Sequence, residues 1–229
     1  MILQRSNVPN LDQISTELSR LIGTANTTEF RQFFVYYQQC QAASNEFGTK
    51  LDNLDTEFQL RTNHNPIHHM ETRMKEPRSL FNKMAKKELP RSVASMKNHI
   101  FDIAGIRVIT NYLDDIQTVE TALTNQTDVK LLKRKDYINH PKPSGYRSLH
   151  LVLSVPVFQI DGPVETPVEI QLRTVGMDMW ASLEHKLRYK TNVDQDKVAQ
   201  YGDQLRGYSS ELNQIETNLQ MIFKDLQDD

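Results

Sequence analysis

Glu169 lies in the segment of the chain whose residue types are most suggestive of chemistry, Val168–Arg173. Apolar and polar residues alternate there, and successive side chains of a strand point to opposite faces. Glu169, Gln171 and Arg173 are therefore expected on one face, with the apolar residues turned toward a core. A carboxylate beside an arginine on one sheet surface suits a site for a metal and a polyphosphate. An ordinary solvated sheet face has the same pattern, so the strand alone leaves both interpretations open.

A second acid, Asp102, stands three residues before the short apolar segment Gly105–Thr110. On its own, such an aspartate is typical of a helix cap or a turn. If Asp102 and Glu169 lie on neighbouring strands, they can hold a hard cation, because Mg²⁺ is usually bound by one or two carboxylates together with substrate phosphates. Arg107 shares a strand face with Gly105, whose missing side chain leaves open backbone beside it.

The basic, proline-containing segment Lys135–His150 runs into a predicted strand. Tyr146 follows a glycine and is placed to stack on a nucleotide base. Lys142 and Arg147 flank it and are suited to phosphate groups. Two structural alternatives remain: Tyr146 as an aromatic anchor of its own loop, and His150 as an ordinary strand histidine.

The 229 residues are 38% hydrophobic and 24% charged, which excludes a fully disordered chain and predicts one domain with helical extensions. The net charge of −2 provides no global attraction for nucleic acid or membrane. Basic residues are nevertheless clustered: 14 of the 27 lie within 73–97 and 130–150. These clusters are either two solvated faces or two walls of one polyanion site.

Several classes of protein are disfavoured by what the sequence lacks. The single cysteine, Cys40, allows no internal disulfide and no cysteine-based zinc site, and it fits a reducing cytoplasm. No apolar run is long enough for a bilayer span, and residues 1–10 do not resemble a signal peptide. The eight glycines form neither a P-loop nor a dinucleotide-binding fingerprint.

The spacing of apolar residues predicts helices at both ends and an α/β centre. Helices are expected within the first 62 residues, with a break at 63–66 and then a polar helix ending near Pro90. In that polar helix Arg73 and Lys75 would lie on different sides. Strands are expected at 105–110, 149–155 and 168–172, and helices near 114–123 and 175–189. The residues expected to be buried by the last of these helices are Met179, Trp180, Leu183 and Leu187.

The final segment carries a regular apolar stripe, which predicts a long helix. Its members recur at spacings of three and four: Val198, Tyr201, Leu205, Tyr208, Leu212, Ile215, Leu219, Ile222 and Leu226. The stripe either packs on its own domain or meets a partner subunit. We therefore divide the chain into an N-terminal helical region (1–62), a central α/β domain (63–190) and a C-terminal amphipathic helix (191–229).

Five motifs in order resemble the synthetase domain of the RelA/SpoT family, over about residues 65–190. They are Asp102–Ile109, the Lys135-Asp-Tyr-Ile run, Pro141–His150, Glu169–Thr174 and Trp180–His185, preceded by Arg73-Met-Lys-Glu-Pro-Arg-Ser-Leu-Phe-Asn-Lys83. The short chain is similar to the stand-alone small alarmone synthetases. The resemblance implies an α/β (α+β) nucleotidyltransferase-like fold, with a mixed β-sheet flanked by helices. It also implies transfer of pyrophosphate from ATP to the 3′-hydroxyl of GDP or GTP, releasing AMP, in the bacterial stringent response.

The same resemblance implies roles for individual residues. Asp102 and Glu169 would bind Mg²⁺, and Glu169 would also help to deprotonate the attacking hydroxyl. Either Arg134 or Lys135 would lie near the adenine. The residues implied for the ATP phosphates are Arg73, Lys75, Ser79, Lys83 and Arg107.

On the acceptor side, the resemblance implies that Tyr146 stacks on guanine while Lys142 and His150 face the acceptor phosphates. Asp178 is a further candidate, because a carboxylate can accept from the N1–H and the amino group of guanine together, although a solvated helix residue is an equal alternative. The remaining acceptor-site candidates are Arg147, Gln171 and Arg173.

No His-Asp dipeptide of the family's hydrolase domain occurs, so we expect synthesis without hydrolysis. Two other functions stay open: the same donor with an adenosine nucleotide or a tRNA 3′ end as acceptor, and a non-enzymatic RNA-binding module. The family also implies a cytoplasmic homotetramer. A nucleotide or RNA regulator is possible, and a membrane partner is not expected.

Overall fold

Six helices and five strands form the described part of the computed structural model, residues 27–188 and 195–227. The helices are α1 (Thr27–Thr62), α2 (Pro77–Lys86), α3 (Val93–His99), α4 (Leu113–Thr124), α5 (Val175–Arg188) and α6 (Gln195–Gln227). The strands are β1 (Ile67–Met74), β2 (Ala104–Thr110), β3 (Lys130–Asp136), β4 (Leu149–Gln159) and β5 (Gly162–Thr174). The predicted apolar repeat at Leu11, Ile14, Leu18 and Ile22 lies outside the described residues.

The five strands form one mixed sheet in the order β1-β2-β5-β4-β3. β2 and β5 are parallel, and the other neighbouring pairs are antiparallel. This architecture confirms the predicted mixed sheet flanked by helices. The division of the chain into three regions stays a prediction.

One face of the sheet carries the hydrophobic core, because the strands alternate as their sequences require. Ile170 and Leu172 of β5 and Leu151 of β4 are fully buried there. The long helix α1 covers this face and contributes Phe47 and Leu51, which are also fully buried. The predicted helical spacing of α1 is thus confirmed for its described residues.

The opposite face of the sheet carries polar residues in register across all five strands. Arg73 of β1 pairs with Gly105, Gly105 with Glu169, Glu169 with Val152, and Val152 with Lys133. The next row runs across Glu71, Arg107, Gln171, His150 and Lys135. We call this surface the polar face.

The segment after Pro66 differs from the prediction. Residues Ile67–Met74 form the edge strand β1, and the helix that contains Phe81 and Met84 begins only at Pro77. The predicted helix from the start of this segment was wrong, because a polar strand at a sheet edge buries few side chains and shows no clear alternation. The correction matters, since Arg73 belongs to a strand and Lys75 follows its end.

Two predicted apolar faces also differ. In α5, Trp180 is buried as expected, but Met179, Leu183 and Leu187 are about half exposed, whereas Met177 and Ala181 are buried instead. In α6, Tyr208, Ile215, Leu219 and Ile222 of the apolar stripe are each about half exposed, whereas Leu205 and Leu212 are partly buried. Among residues 201–227 of α6, the buried ones are polar: Ser209 and Gln220. This exposure favours the second alternative, contact with a partner subunit, which stays a prediction.

Candidate active site

Asp102 and Glu169 lie together at the boundary between two adjoining cavities on the polar face. A cavity of about 360 Å³ lies over β1 and β2 and includes Arg73, Lys75 and Arg107. A second of about 540 Å³ lies toward α2, α3 and β3 and includes Lys83, Lys135 and His150. Both acids line both cavities. We call these the β1–β2 cavity and the β3 cavity.

Asp102 joins two lysines from different elements. Its Oδ2 atom accepts hydrogen bonds from Lys75 Nζ, just after β1, and from Lys83 Nζ of α2, both at 2.5 Å. Burial alone would raise the pKa of Asp102, but the two ammonium groups outweigh it and hold that pKa below its ordinary value. The carboxylate is therefore ionised at neutral pH. Its other oxygen, Oδ1, is buried without a hydrogen-bond partner.

Glu169 is held on the sheet by its neighbours on the polar face. Its Oε2 accepts a hydrogen bond from Gln171 Nε2 at 2.8 Å, and its Oε1 lies 3.4 Å from His150 Nδ1. Burial and the nearby charge of Asp102 both act to raise its pKa, but the contacts with His150 and Gln171 dominate and lower it. Glu169 is thus also a carboxylate at neutral pH.

These two carboxylates suit a divalent cation. The buried Oδ1 of Asp102 has no hydrogen-bond partner among the residues that the structure describes, and burying such an oxygen costs free energy unless a ligand binds it. Glu169 adds a second ionised oxygen donor beside it, and oxygen is the donor type that Mg²⁺ prefers. Two carboxylates do not form a complete protein cage, so the remaining positions are open to water and substrate.

Gly105 leaves room beside this pair. A Cβ atom added at Gly105 would meet only the Glu169 carbonyl oxygen at 3.6 Å and the Arg73 carbonyl oxygen at 3.9 Å, which is ordinary contact. The protein itself therefore does not require a glycine at this position. The open backbone forms part of the floor of the β1–β2 cavity.

A chain of charged contacts continues along the polar face from Arg107. Its guanidinium donates to Glu71 Oε2 at 3.0 Å, and its Nε lies 3.4 Å from Asp178 Oδ1. The same Asp178 oxygen accepts a hydrogen bond from Arg173 at 2.9 Å. Asp178 is therefore an ion-pairing residue on the face of α5 nearest the sheet, and it is not simply solvated.

Arg173 connects this chain to Tyr146. It donates a hydrogen bond to the Tyr146 hydroxyl at 2.7 Å, and its guanidinium carbon lies 5.1 Å from the centre of the Tyr146 ring. The hydroxyl also bonds His150 Nε2 at 2.8 Å, and Lys142 Nζ lies 4.5 Å from the ring centre. Tyr146 is thus placed among cations, and His150 connects it to Glu169.

The structure separates Arg134 from Lys135. Lys135 lines the β3 cavity, whereas Arg134 points to the other side of β3 and forms an ion pair with Glu120 of α4. Adjacent residues of a strand face opposite ways, so only one of the two reaches the cavity. Lys135 is the residue placed near the acids.

Two other candidate residues lie away from the acids. The guanidinium of Arg147 donates to the Ile138 carbonyl at 2.7 Å and faces Glu216 of α6. Burial lowers the pKa of Arg147, and Glu216 partly offsets this. Ser79 is exposed in the first turn of α2 and is not among the residues lining either cavity.

A family model described as the region found in RelA / SpoT proteins matches residues 72–194. That range contains every candidate residue discussed above. The chain belongs to the RelA/SpoT family.

Relatives within the RelA/SpoT family include two proteins of Bacillus subtilis (strain 168). GTP pyrophosphokinase YwaC is 44% identical over 158 residues, covering 69% of this chain and 74% of the relative. GTP pyrophosphokinase YjbM is 36% identical over 163 residues, covering 71% and 74%.

Among solved structures, small alarmone synthetase 1 of B. subtilis bound to its product pppGpp superposes with a TM-score of 0.74. It has 31% identity and covers 86% of this chain and 98% of that one. Small alarmone synthetase 2 of B. subtilis gives 0.73 with 36% identity, covering 82% and 97%.

Several residues beside the two acids were missed from the sequence. Glu71 pairs with Arg107, and His99 and Lys133 line the β3 cavity. Tyr137 lies against Lys142, with Nζ 4.6 Å from its ring centre. The Lys135-Asp-Tyr motif contained a signal for Tyr137, whereas Glu71 could not be placed while its segment was predicted as helix.

Among the described helices, none combines the length and apolar character that a bilayer span requires.

Proposed function

We propose that this RelA/SpoT-family chain is a (p)ppGpp synthetase, an ATP:GTP 3′-pyrophosphotransferase that acts in the bacterial stringent response. The 3′-hydroxyl oxygen of GDP or GTP attacks the β-phosphorus of ATP. A new bond forms between them, the bridging bond between the α- and β-phosphates breaks, and AMP leaves. The names of the relatives, GTP pyrophosphokinase and alarmone synthetase, support this activity.

One observation carries the proposal most directly: two ionised carboxylates meet where two cation-lined cavities adjoin. Transfer between two polyphosphates needs the protein mainly for alignment and for neutralising charge. The two cavities carry the cations assigned below to the donor and provide space for its polyphosphate beside the two carboxylates. A site for neutral substrates would not need this density of charge.

Asp102 and Glu169 are the residues that would hold a divalent cation, which we propose is Mg²⁺. Such a cation supplies charge neutralisation for the phosphates that approach the carboxylates. The lowered pKa of Glu169 makes it a weak proton acceptor. We therefore assign Glu169 mainly to metal binding, with removal of the hydroxyl proton as a secondary role.

The donor phosphates are assigned to the cations nearest Asp102, namely Lys75, Lys83, Arg73 and Arg107. Lys75 and Lys83 are held by Asp102 Oδ2, so they are positioned before the substrate arrives. Lys135, in the β3 cavity, is assigned to the donor in preference to Arg134. For Ser79, the assignment to the donor phosphates rests only on the Arg73–Lys83 motif.

The acceptor is assigned to the surface around Tyr146. A guanine that stacks on this ring would displace Lys142 from it toward the acceptor phosphates, with His150 beside them. Asp178 and Arg173 extend this surface, and Gln171 supports Glu169. Arg147 is assigned to holding the loop against Ile138 and not to the acceptor phosphates.

A panel of acceptors tests the proposed reaction. The chain is incubated with Mg²⁺ and ATP labelled in its β-phosphate, together with GDP, GTP, ADP or tRNA, and the products are separated by chromatography. We expect label in a guanosine 3′-pyrophosphate and matching release of AMP. Label in ADP or in tRNA instead would show that the acceptor is not a guanosine nucleotide. RNA binding without any transfer would contradict the proposal.

We also propose that the chain assembles as a homo-oligomer, a tetramer, in the cytoplasm. The exposed apolar stripe of α6 and the exposed leucines of α5 support self-association, because exposed apolar surface of this extent marks interaction sites. A nucleotide or RNA regulator remains a proposal from the family resemblance.

A further inference from the structure

Helix α6 contacts the loop that carries Tyr146 through directional polar bonds. We call residues 137–148 the acceptor loop. The hydroxyl of Ser209, a buried residue, donates to the Gly145 carbonyl at 2.5 Å. One turn earlier, the Arg206 guanidinium lies 3.4 Å from the Pro143 carbonyl oxygen. The residue that follows Gly145 in the chain is Tyr146.

The acceptor loop fits against α6 and α5 without spare room. Gly145 has a φ of +92°, and a Cβ added there would lie 3.1 Å from Ser209 Cβ, 3.2 Å from Arg206 Cα and 3.3 Å from Trp180 Cζ2. The loop closes on itself through the bond from Gly145 N–H to the Lys142 carbonyl at 2.8 Å. Glycine is therefore required here both by backbone conformation and by the close approach of the helix.

Helix α6 is itself fixed to the element that follows the catalytic strand. Trp180 of α5 donates its indole N–H to the Leu205 carbonyl at 2.8 Å. Glu216 accepts from the Gly176 N–H, at the start of α5, at 2.9 Å. Since α5 follows β5 directly, these bonds set the position of the acceptor loop relative to Glu169 and Arg173.

The arrangement of faces on α6 indicates that these contacts do more than hold a helix in place. Much of the apolar stripe is about half exposed, and three inward-facing polar residues each make a bond to a different element: Ser209 to Gly145 of the loop, Glu216 to Gly176 of α5 and Gln220 to the Asp114 N–H of α4. Burial of apolar surface is non-directional, whereas a hydrogen bond fixes distance and angle. The Ser209 bond therefore provides position, in addition to the packing that Phe223 of α6 gains by stacking on Tyr112 with ring centres 4.0 Å apart.

We propose that Ser209 is a positioning residue for acceptor binding, acting through Gly145 on Tyr146; this inference rests on the proposed function. The Ser209–Gly145 bond holds the loop so that Tyr146 keeps its contacts with Arg173 and His150. The donor side has no contact with Ser209, so its binding should not depend on this bond.

The test compares Ser209→Ala with Ser210→Ala in the full-length chain. Ser210 is exposed, and its hydroxyl bonds only the Arg206 carbonyl of its own helix, at 3.3 Å. For Ser209→Ala we expect the KM for GDP to rise about three- to tenfold, the effect of losing one buried hydrogen bond, with the KM for ATP and kcat nearly unchanged. Ser210→Ala should match the wild type in all three.

An equal rise in both KM values, a fall in kcat alone, or no change would overturn the proposal. Hydrogen exchange provides a readout that does not need activity: the amides of Lys142 and Gly145 should exchange faster in Ser209→Ala only. If the wild-type chain transfers nothing to GDP or GTP, the proposed function fails, and the acceptor role of Ser209 fails with it. The exchange result then still decides whether Ser209 anchors the loop.

A second variant guards against a folding defect. Should Ser209→Ala melt well below Ser210→Ala, the same kinetics are measured on Ser209→Cys, which nearly keeps the side-chain volume and replaces the hydroxyl by a weak S–H donor. The same selective rise in the KM for GDP supports the proposal, and a uniform loss contradicts it.

Discussion

Asp102 and Glu169, 67 positions apart in the sequence, lie on the same side of the sheet, close enough that the charge of Asp102 acts to raise the pKa of Glu169. Two negative charges held in one partly buried place repel each other unless cations surround them. Here Lys75 and Lys83 bond one acid, and His150 lies beside the other. These cations stabilise the pair, and among the described residues Asp102 Oδ1 has no hydrogen-bond partner, so it is the oxygen open to a further cation.

The first prediction concerns Glu169. Glu169→Gln keeps the shape of the side chain and removes its charge, so the fold should persist while transfer falls about 100-fold or more. The matched control is Glu165→Gln, on the same strand, where the carboxylate bonds Lys130 and Ser154 at the far end of β5. Product formation under saturating ATP and GDP measures both. Equal activity of Glu169→Gln and Glu165→Gln would show that the charge of Glu169 has no role in the reaction.

The second prediction concerns the pH dependence of stability. The folded-state pKa of Asp102 is lowered, mainly by Lys75 and Lys83 acting against burial. Its ion pairs therefore stabilise the fold above the ordinary pKa of an aspartate, 3.8, and this stabilisation is lost as the pH falls through the lowered folded-state value. Wild type should exceed Asp102→Asn by about 1–2 kcal/mol in free energy of unfolding at pH 6, and by less at pH 3.

Urea denaturation at the two pH values measures this difference, with Asp52→Asn on the exposed face of α1 as the control. The control variant should lose little stability at either pH. A gap between wild type and Asp102→Asn that widens in acid would show that the ion pairs do not act as described.

Alternation along a strand was the most reliable guide to this site. It correctly grouped Glu169, Gln171 and Arg173 on one face and the leucines of β4 on the other. Because adjacent side chains alternate in extended backbone, the side chain of Arg147 is also expected to point away from the side that Tyr146 faces. Alternation could not say which of Arg134 and Lys135 faces the cavity, because that depends on Glu120, a residue of another element.

The predictions that differ from the structure concern β1, α5 and α6. In each of them, the burial of side chains depends on elements that are distant in the sequence. The edge strand β1 is polar on most of its positions, so its pattern resembles a solvated helix. In α5 and α6, apolar spacing predicted burial, but three of the four apolar residues named in α5 and much of the stripe in α6 are about half exposed. The periodicity of apolar residues identifies the apolar stripe of a helix, but it does not show which element or subunit covers that stripe.

The third prediction separates two adjacent basic residues. Lys135→Ala should raise the KM for ATP about tenfold, because a charge-assisted contact in the β3 cavity is lost. Arg134→Ala removes an ion pair with Glu120 on the other side of the strand and should change this KM less than twofold. Initial rates over a range of ATP concentrations decide between them. A larger rise in the KM for ATP in Arg134→Ala than in Lys135→Ala would mean that Arg134, and not Lys135, faces the ATP site in the working enzyme.

The fourth prediction concerns assembly. Leu219 is half exposed in the apolar stripe of α6, so Leu219→Glu should leave the fold intact and lower the molar mass measured by light scattering. Asn218→Glu introduces the same charge one position outside the stripe and should keep the wild-type mass. If the wild type is a monomer at working concentration, or if both variants keep its mass, the stripe is not the interface.

The most direct test of the account is the dependence of transfer on a divalent cation when Asp102, one of the two acids, is altered. Initial rates are measured for wild type, Asp102→Asn and Glu165→Gln over a range of Mg²⁺ concentrations at fixed ATP and GDP. We predict that a chelator abolishes transfer by the wild type, that Glu165→Gln follows the wild-type curve, and that Asp102→Asn needs at least about tenfold more Mg²⁺ or stays inactive while folded. Transfer that persists in the chelator, or an Asp102→Asn curve that superposes on the wild type, would contradict the central claim that these carboxylates hold the metal.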